Sequence, residues 1–144
     1  PSVRRRMLAG AMDVNDENVE RYARSADALL QMIGRLHAAR VPLVAGTDAM
    51  AGFTLHRELE LYRRAGLSNS EVLNIATLGS ARVAGLSDQA GSITVGKRAD
   101  FVLLATNPLE DISAVRGAVA VFKGDRWYDP AQLYEAVGIR PFTR

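Results

Sequence analysis

Residues 41–48 constrain the fold of this chain more than any other segment. They form a continuous apolar run, Val-Pro-Leu-Val-Ala, that is followed directly by Gly-Thr-Asp. An apolar run without alternation is typical of a parallel strand that is buried on both faces of its sheet. The run therefore predicts a strand over 41–45 with Asp48 at its carboxyl end, and in α/β barrels this edge carries metals and catalytic groups.

A long amphipathic helix is predicted before this strand. Asn15 or Asp16 can cap its start. Because Pro42 disfavours a helix just before it, the helix is predicted to end near Ala39. The apolar face has the spacing of a half-buried helix and consists of Val19, Tyr22, Ala26, Leu29, Leu30, Ile33 and Leu36. A helix followed by a buried strand is half of a βα-barrel repeat.

More helices are predicted after the Gly-Thr-Asp element, beyond a loop at 49–53. The first lies between Thr54, which can cap it, and Gly66, which suits a helix C-cap. The second begins at Ser68-Asn69-Ser70-Glu71, a capping box in which side chains and backbone amides of the first turn bond reciprocally. Helical spacing continues to Gly85, so the chain is predicted to be helical up to about residue 86.

From about residue 90 the pattern changes to short strands. Strands are predicted at 91–96, 99–105 and 118–122, followed by a hairpin return at 126–128 and a last helix over 131–137. Asp100 is expected to accept backbone hydrogen bonds and hold the hairpin turn at 97–98. We therefore divide the chain into a barrel segment, 1–88, and a small β segment, 89–144.

The composition excludes several classes of protein. The net charge of +2 is too small to indicate a nucleic-acid partner, and the absence of cysteine excludes disulfide scaffolds and thiolate zinc sites. No apolar run approaches the ~20 residues of a membrane span, and no signal-peptide layout is visible. We expect a cytoplasmic location. Because the chain begins with Pro1 instead of Met, we expect that an upstream portion is missing.

Asp48 is the strongest candidate for chemistry. Its carboxylate can bind a divalent metal, and it can take a proton from the attacking water and pass it to a leaving amine. The alternative is that Thr47 and Asp48 only cap a helix or shape a turn, and the motif alone favours neither. A zinc-type site needs about three protein ligands, and the chain has only two histidines. Most of the metal site is therefore expected outside this chain.

The histidines are weaker candidates. His56 could reach over the barrel mouth and contact the substrate, but a surface pair with Glu60 at i+4 is favoured. A structural role is expected for His37, because an imidazolium near a helix C-terminus interacts favourably with the helix dipole. Glu58 and Glu60 point to different sides of their helix and are predicted to be solvated.

Several segments form a specific set by their order and spacing: VPLVAGTDA at 41–49, LHRELEL at 55–61, AGLS at 65–68, AT at 76–77 with AR at 81–82, GSITVGKRADFVLL at 91–104 and NPL at 107–109. As a set they resemble the C-terminal end of the amidohydrolase superfamily, and they are most similar to its imidazolonepropionase-like and Xaa-Pro dipeptidase-like group.

The resemblance implies an α/β fold, namely the C-terminal part of a (β/α)8 barrel with part of a small composite β-sandwich. It implies one or two divalent metal ions, usually zinc, in the full-length protein. Asp48 would match the family's last-strand aspartate, both metal ligand and proton shuttle, and Thr47 and His56 would contact substrate. The family's first-strand His-x-His pair, bridging lysine or glutamate and further histidines have no counterpart. This chain alone is therefore expected to bind zinc weakly or not at all and to be inactive.

The resemblance implies a full-length enzyme that hydrolyses an amide or peptide-like C–N bond in a small amide or dipeptide-like substrate. Two alternatives stay open: a catalytically inactive fragment that acts as a scaffold or assembly module, and deaminase or esterase chemistry on the same metal site. No nucleic-acid or membrane partner is expected. Because a partial barrel leaves strand edges open, a homo-oligomer is predicted.

Overall fold

The computed structural model describes residues 13–48 and 54–138. The helical elements of the first part are α1 (Val19–Ala38), α2 (Thr54–Arg64), α3 (Asn69–Asn74), a π-helical turn (Ile75–Gly79) and α4 (Ser80–Val83). The second part contains β1 (Phe101–Leu104), a 3-10 helix (Ile112–Arg116), β2 (Ala118–Lys123), β3 (Arg126–Tyr128) and α5 (Pro130–Ala136). As predicted, the helices between residues 54 and 83 precede the strands between residues 101 and 128. The loop predicted at 49–53 lies outside the described residues.

Helix α1 has nearly the predicted bounds but is less buried than predicted. Asn15 Oδ1 accepts hydrogen bonds from the backbone amides of Glu17 and Asn18 just before the helix. No residue of α1 is fully buried, and Leu29 is 57% exposed. The helix packs against the core through Ile33 in its C-terminal half. Within the predicted apolar stripe, Val19, Ala26 and Leu29 are exposed, and the other four residues are only partly buried. None of the described helices is long and apolar enough to cross a membrane.

The core lies between α2, α3 and the segments that follow them. Its buried residues are Leu59, Tyr62, Leu67, Val72, Ile75 and Ile112. Ile112 belongs to the 3-10 helix, so the second part of the chain contributes to the helical core. The predicted capping box is present at the start of α3, where the Ser68 hydroxyl accepts from the Glu71 amide and the Glu71 carboxylate accepts from the Ser68 amide.

The three strands form an antiparallel sheet in the order β1-β2-β3. Phe101 pairs with Phe122, and their rings stack with centroids 4.5 Å apart. The turn between β2 and β3 contains Gly124 at φ +62°, and its amide donates to Asp100 Oδ1 at 3.0 Å. The prediction that Asp100 accepts a backbone hydrogen bond is thereby confirmed, but the turn that it holds is the one at Gly124 and not the one at 97–98. Asp129 caps α5 by accepting from the Ala131 amide.

Two predicted strands do not form in the described structure. Residues 41–45 are not assigned to a strand, because a strand needs a neighbour for its backbone groups and the described residues provide none beside this segment. Residues 91–96 form bends and a turn, in which Ile93 is 89% exposed and the Lys97 amide donates to the Thr94 carbonyl. The prediction of a strand here was wrong, because Gly91 and Gly96 belong to the bends and the turn and do not bound a strand.

Candidate functional site

The backbone just before Asp48 is held by side chains of α2. The Tyr62 hydroxyl lies 2.8 Å from the Val44 carbonyl oxygen and 3.0 Å from Glu58 Oε1. The same Glu58 oxygen accepts from the Gly46 amide at 3.3 Å. Residues 58 and 62 are one helical turn apart and therefore face the same side of α2. Side chains of α2 thus bond the backbone groups along this edge of the segment, as a neighbouring strand would do in a sheet.

A second group of hydrogen bonds involves Ser80 and two threonines. The Ser80 hydroxyl donates to the Ile75 carbonyl at 2.6 Å and accepts from the Ala45 amide at 3.2 Å. Ser80 follows the π-helical turn directly, so this turn sets the position of its hydroxyl. Thr47 Oγ1 lies 2.8 Å from Thr54 Oγ1 at the start of α2. Each residue of the segment 44–47 is therefore bonded to a side chain of α2 or α4.

Asp48 follows this segment with an exposed side chain. Within the residues that the structure describes, its carboxylate has no hydrogen bond or ion pair. In the same part of the chain, no three His, Asp or Glu side chains lie close enough to hold a metal ion. Since a zinc-type site needs about three protein ligands, the described residues fit one ligand position of such a site and not a complete site.

His56 lies in the first turn of α2 and is half-buried. Burial lowers the pKa of its imidazole, the positive charge of Arg116 lowers it further, and Glu60 opposes the shift. The predicted pair with Glu60 does not form. The Glu60 carboxylate instead accepts from Arg116 Nε at 2.6 Å and from Arg57 Nη1 at 3.2 Å. No hydrogen bond joins His56 to Asp48 among the described residues.

Two glutamates that we predicted to be solvated are parts of these networks. Glu58 bonds Gly46 and Tyr62, and the Glu60 side chain is only 18% exposed. The hydrogen bond with Arg116 lowers the pKa of Glu60 and raises that of Arg116. The i, i+4 spacing of Glu58 and Tyr62 was a usable signal. Nothing in the sequence signals Arg116, which lies 56 residues from Glu60.

His37 has a partner away from this site. Its Nε2 lies 3.0 Å from Glu71 Oε1, and Glu71 Oε2 lies close to the amide and the hydroxyl of Ser68. The Ser68 hydroxyl, the Ser68 amide and His37 together lower the pKa of Glu71 to about 2. These contacts join the end of α1 to the start of α3, which agrees with the structural role expected for His37.

Several known proteins are similar to this chain in sequence or in structure. Residues 10–127 match the sequence profile of the amidohydrolase family. Over 85 residues, the chain is 39% identical to a 5-methylthioadenosine/S-adenosylhomocysteine deaminase of Desulforudis audaxviator (strain MP104C), a match that covers 51% of this chain and 20% of the deaminase.

Solved structures with a similar fold include a dipeptidase and a hydrolase. A Xaa-Pro dipeptidase with bound methionine superposes on this chain with a TM-score of 0.65 at 27% sequence identity. The match covers 69% of this chain and 25% of the dipeptidase. Molinate hydrolase superposes with a TM-score of 0.61 at 27% sequence identity, and this match covers 76% of this chain and 27% of the hydrolase. The chain therefore spans about a fifth to a quarter of the length of these relatives.

Proposed function

This chain belongs to the amidohydrolase family, and from that premise we propose that it is the part of a metal-dependent hydrolase that carries Asp48. Its fold is α/β and corresponds to the C-terminal part of a (β/α)8 barrel with part of a small β-sandwich. The proposed enzyme uses water to cleave an amide or peptide-like C–N bond in a small substrate.

The observation that carries this proposal is the placement of Asp48. Its carboxylate is exposed and directly follows the segment 44–47, whose residues are all hydrogen-bonded to α2 or α4. A divalent metal, with zinc as our choice, would supply a Lewis acid and lower the pKa of the attacking water. Asp48 would hold the metal as one ligand, and its carboxylate would accept a proton from the attacking water and deliver it to the leaving amine. The other ligands would come from outside the described residues.

Thr47 and His56 are proposed to contact the substrate. The lowered pKa of His56 keeps its imidazole neutral near pH 7, so that it can donate or accept one hydrogen bond without placing a charge beside a neutral amide. Thr47 immediately precedes Asp48, and its hydroxyl is held near that of Thr54.

A second candidate reaction is deamination, which the 39% identity to a deaminase favours. Removal of an amino group by water also breaks a C–N bond, and the same carboxylate could serve both reactions. A homo-oligomer, a cytoplasmic location and the division of the chain at residues 88 and 89 are further parts of the proposal. They rest on the sequence arguments alone.

The test is Asp48→Asn in the full-length zinc-loaded protein. Xaa-Pro dipeptides are assayed by release of free amine, and 5-methylthioadenosine is assayed by release of ammonia. The variant keeps the size of the side chain but loses the base, so turnover of the accepted substrate should fall about 10²–10⁴-fold. Asp88→Asn, at an exposed position of the same chain, is the matched control and should keep turnover.

The substrate that is turned over decides between the two reactions. Near-normal turnover by Asp48→Asn would refute the assignment of Asp48 as ligand and base. A wild-type protein that binds zinc tightly but turns over neither substrate would favour the inactive scaffold instead.

A further inference from the structure

We propose that Glu58 and Tyr62 are positioning residues that fix the backbone from which the Asp48 carboxylate projects. The proposal rests on the proposed function, because Asp48 is the group that they position. It concerns two side chains of α2 that need not touch substrate or metal.

The direction of the backbone groups supports this role. In an extended chain, the amide and carbonyl of residues i and i+2 point to one side, and those of residue i+1 point to the other. Accordingly, the Val44 carbonyl and the Gly46 amide both face α2, where Tyr62 and Glu58 bond them. The Ala45 amide donates to a different element, at Ser80 Oγ. The segment is therefore held from two directions.

The packing of Tyr62 fixes where its hydroxyl lies. The residue is only 8% exposed and belongs to the main apolar core. A side chain held in this way loses little further freedom when its hydroxyl makes a hydrogen bond. The position of the Val44 carbonyl is thereby tied to the packing of the core.

Four polar groups, on Val44, Gly46, Glu58 and Tyr62, form one connected hydrogen-bond network. The Tyr62 hydroxyl has a single proton and two acceptors, the Val44 oxygen at 2.8 Å and Glu58 Oε1 at 3.0 Å. Burial, and then the nearby Glu58, raise the pKa of Tyr62 to about 12, so that it stays a donor at neutral pH. Glu58 in turn receives the Gly46 amide. Loss of either side chain should therefore loosen the segment that ends at Asp48.

The experiment measures amide hydrogen exchange by NMR on the 144-residue chain. In Glu58→Ala, the Gly46 amide should exchange about tenfold faster or more, because it loses a charged acceptor. The Ala45 amide, which is bonded to Ser80, should change little and serves as the internal reference. In Tyr62→Phe, the ring still fills the core, and Gly46 exchange should rise by a smaller factor because Glu58 loses one of its contacts.

A second readout is the backbone order parameter of Asp48 from ¹⁵N relaxation. It should fall in Glu58→Ala and Tyr62→Phe. Glu58→Gln keeps an acceptor oxygen and should restore most of the protection of Gly46. The matched controls are Glu17→Ala, just before α1, and Tyr22→Phe, in its first turn; neither side chain makes a hydrogen bond to the segment.

Unchanged Gly46 exchange in Glu58→Ala would overturn the proposal. Equal acceleration at Gly46 and Ala45 would also overturn it, because that pattern means general loosening. If Tyr62→Phe does not fold, the comparison of Glu58→Ala with Glu58→Gln decides alone. A full-length Asp48→Asn protein with normal turnover would refute the proposed function without altering the exchange result, so the two failures are distinguishable.

Discussion

The ion pair between Arg116 and Glu60 gives the sharpest prediction for the region around His56. We consider Arg116→Met, which removes the charge and the hydrogen bond but keeps an apolar stem of similar length. The Arg116 side chain is 27% exposed and that of Glu60 is 18% exposed, with 2.6 Å between Nε and Oε1. The pair joins the 3-10 helix to α2, so its loss affects a contact between the two parts of the chain.

The expected loss of stability follows from this geometry. A hydrogen bond to a charged group contributes about 1.5–3 kcal/mol. Two features reduce this expected contribution: water reaches both side chains, and Glu60 has a second partner, Arg57 Nη1 at 3.2 Å, which the substitution does not remove. We therefore expect Arg116→Met to lower the free energy of unfolding by about 1–2 kcal/mol. Arg116→Lys keeps the charge and should lose less.

Arg116→Met and a second variant, Glu60→Gln, should move the pKa of His56 in opposite directions. Burial is the main cause of the lowered pKa and remains in every variant, while Arg116 lowers it further and Glu60 raises it. The pKa of His56 should therefore rise in Arg116→Met and fall in Glu60→Gln. The assay is an NMR titration of the imidazole Hε1 signals, with His37→Gln used to assign the two histidines.

Two results would refute this reasoning. A loss of stability below about 0.5 kcal/mol would show that the pair is no stronger than an exposed one. A shift of the His56 pKa in the same direction in both variants would show that the charges act through a change of structure. A double-mutant cycle with Arg116→Met and Glu60→Gln isolates the coupling between the two side chains.

Two further predictions concern stability. Alanine at Gly91 (φ +87°) would place its Cβ 2.7 Å from Ala81 Cβ and 2.9 Å from Leu78 Cα, whereas at Gly96 (φ +91°) nothing lies within 4 Å. Denaturant unfolding should therefore show Gly91→Ala to be less stable than Gly96→Ala by about 1–3 kcal/mol, and equal losses would contradict the contact. The pKa of Glu71 is about 2 in the folded chain, against an ordinary value of 4.5. As the pH falls, the unfolded chain therefore binds a proton at Glu71 before the folded chain does. The stability that the Glu71 carboxylate gives to the fold is complete above about pH 4.5 and is lost as the pH falls towards 2. Glu71→Gln should reduce the pH dependence between pH 6 and pH 3, and Glu17→Gln, at an exposed position, should leave it unchanged.

Local signals in the sequence predicted the elements whose stabilising groups lie close together along the chain. The capping box at Ser68 and the cap at Asp129 have their partners within three residues. The hairpin around Gly124 follows from a glycine turn between two β-rich runs. In each case the backbone groups that need partners find them within a few residues, so the sequence window contains the whole interaction.

The misread segments depend on distant residues. The strand over 41–45 was predicted from apolar content, which reports burial and not the presence of a neighbouring strand. Its Val44 and Ala45 backbone groups bond side chains 18 and 35 residues away. The contact of Arg116 with Glu60 spans 56 residues. Propensity and spacing contain no information about such partners.

For Glu58 and Glu60, the prediction of their directions was correct, but the prediction that both side chains are solvated was wrong. Residues two apart on a helix are separated by about 200°, so these glutamates do point to different sides of α2, as predicted. Both sides, however, carry partners: Glu58 contacts the backbone before Asp48, and Glu60 contacts Arg116. Between them, Leu59 is buried in the core. Helix α2 therefore joins the Asp48 segment to the second part of the chain, and a shift of this helix would change both networks together.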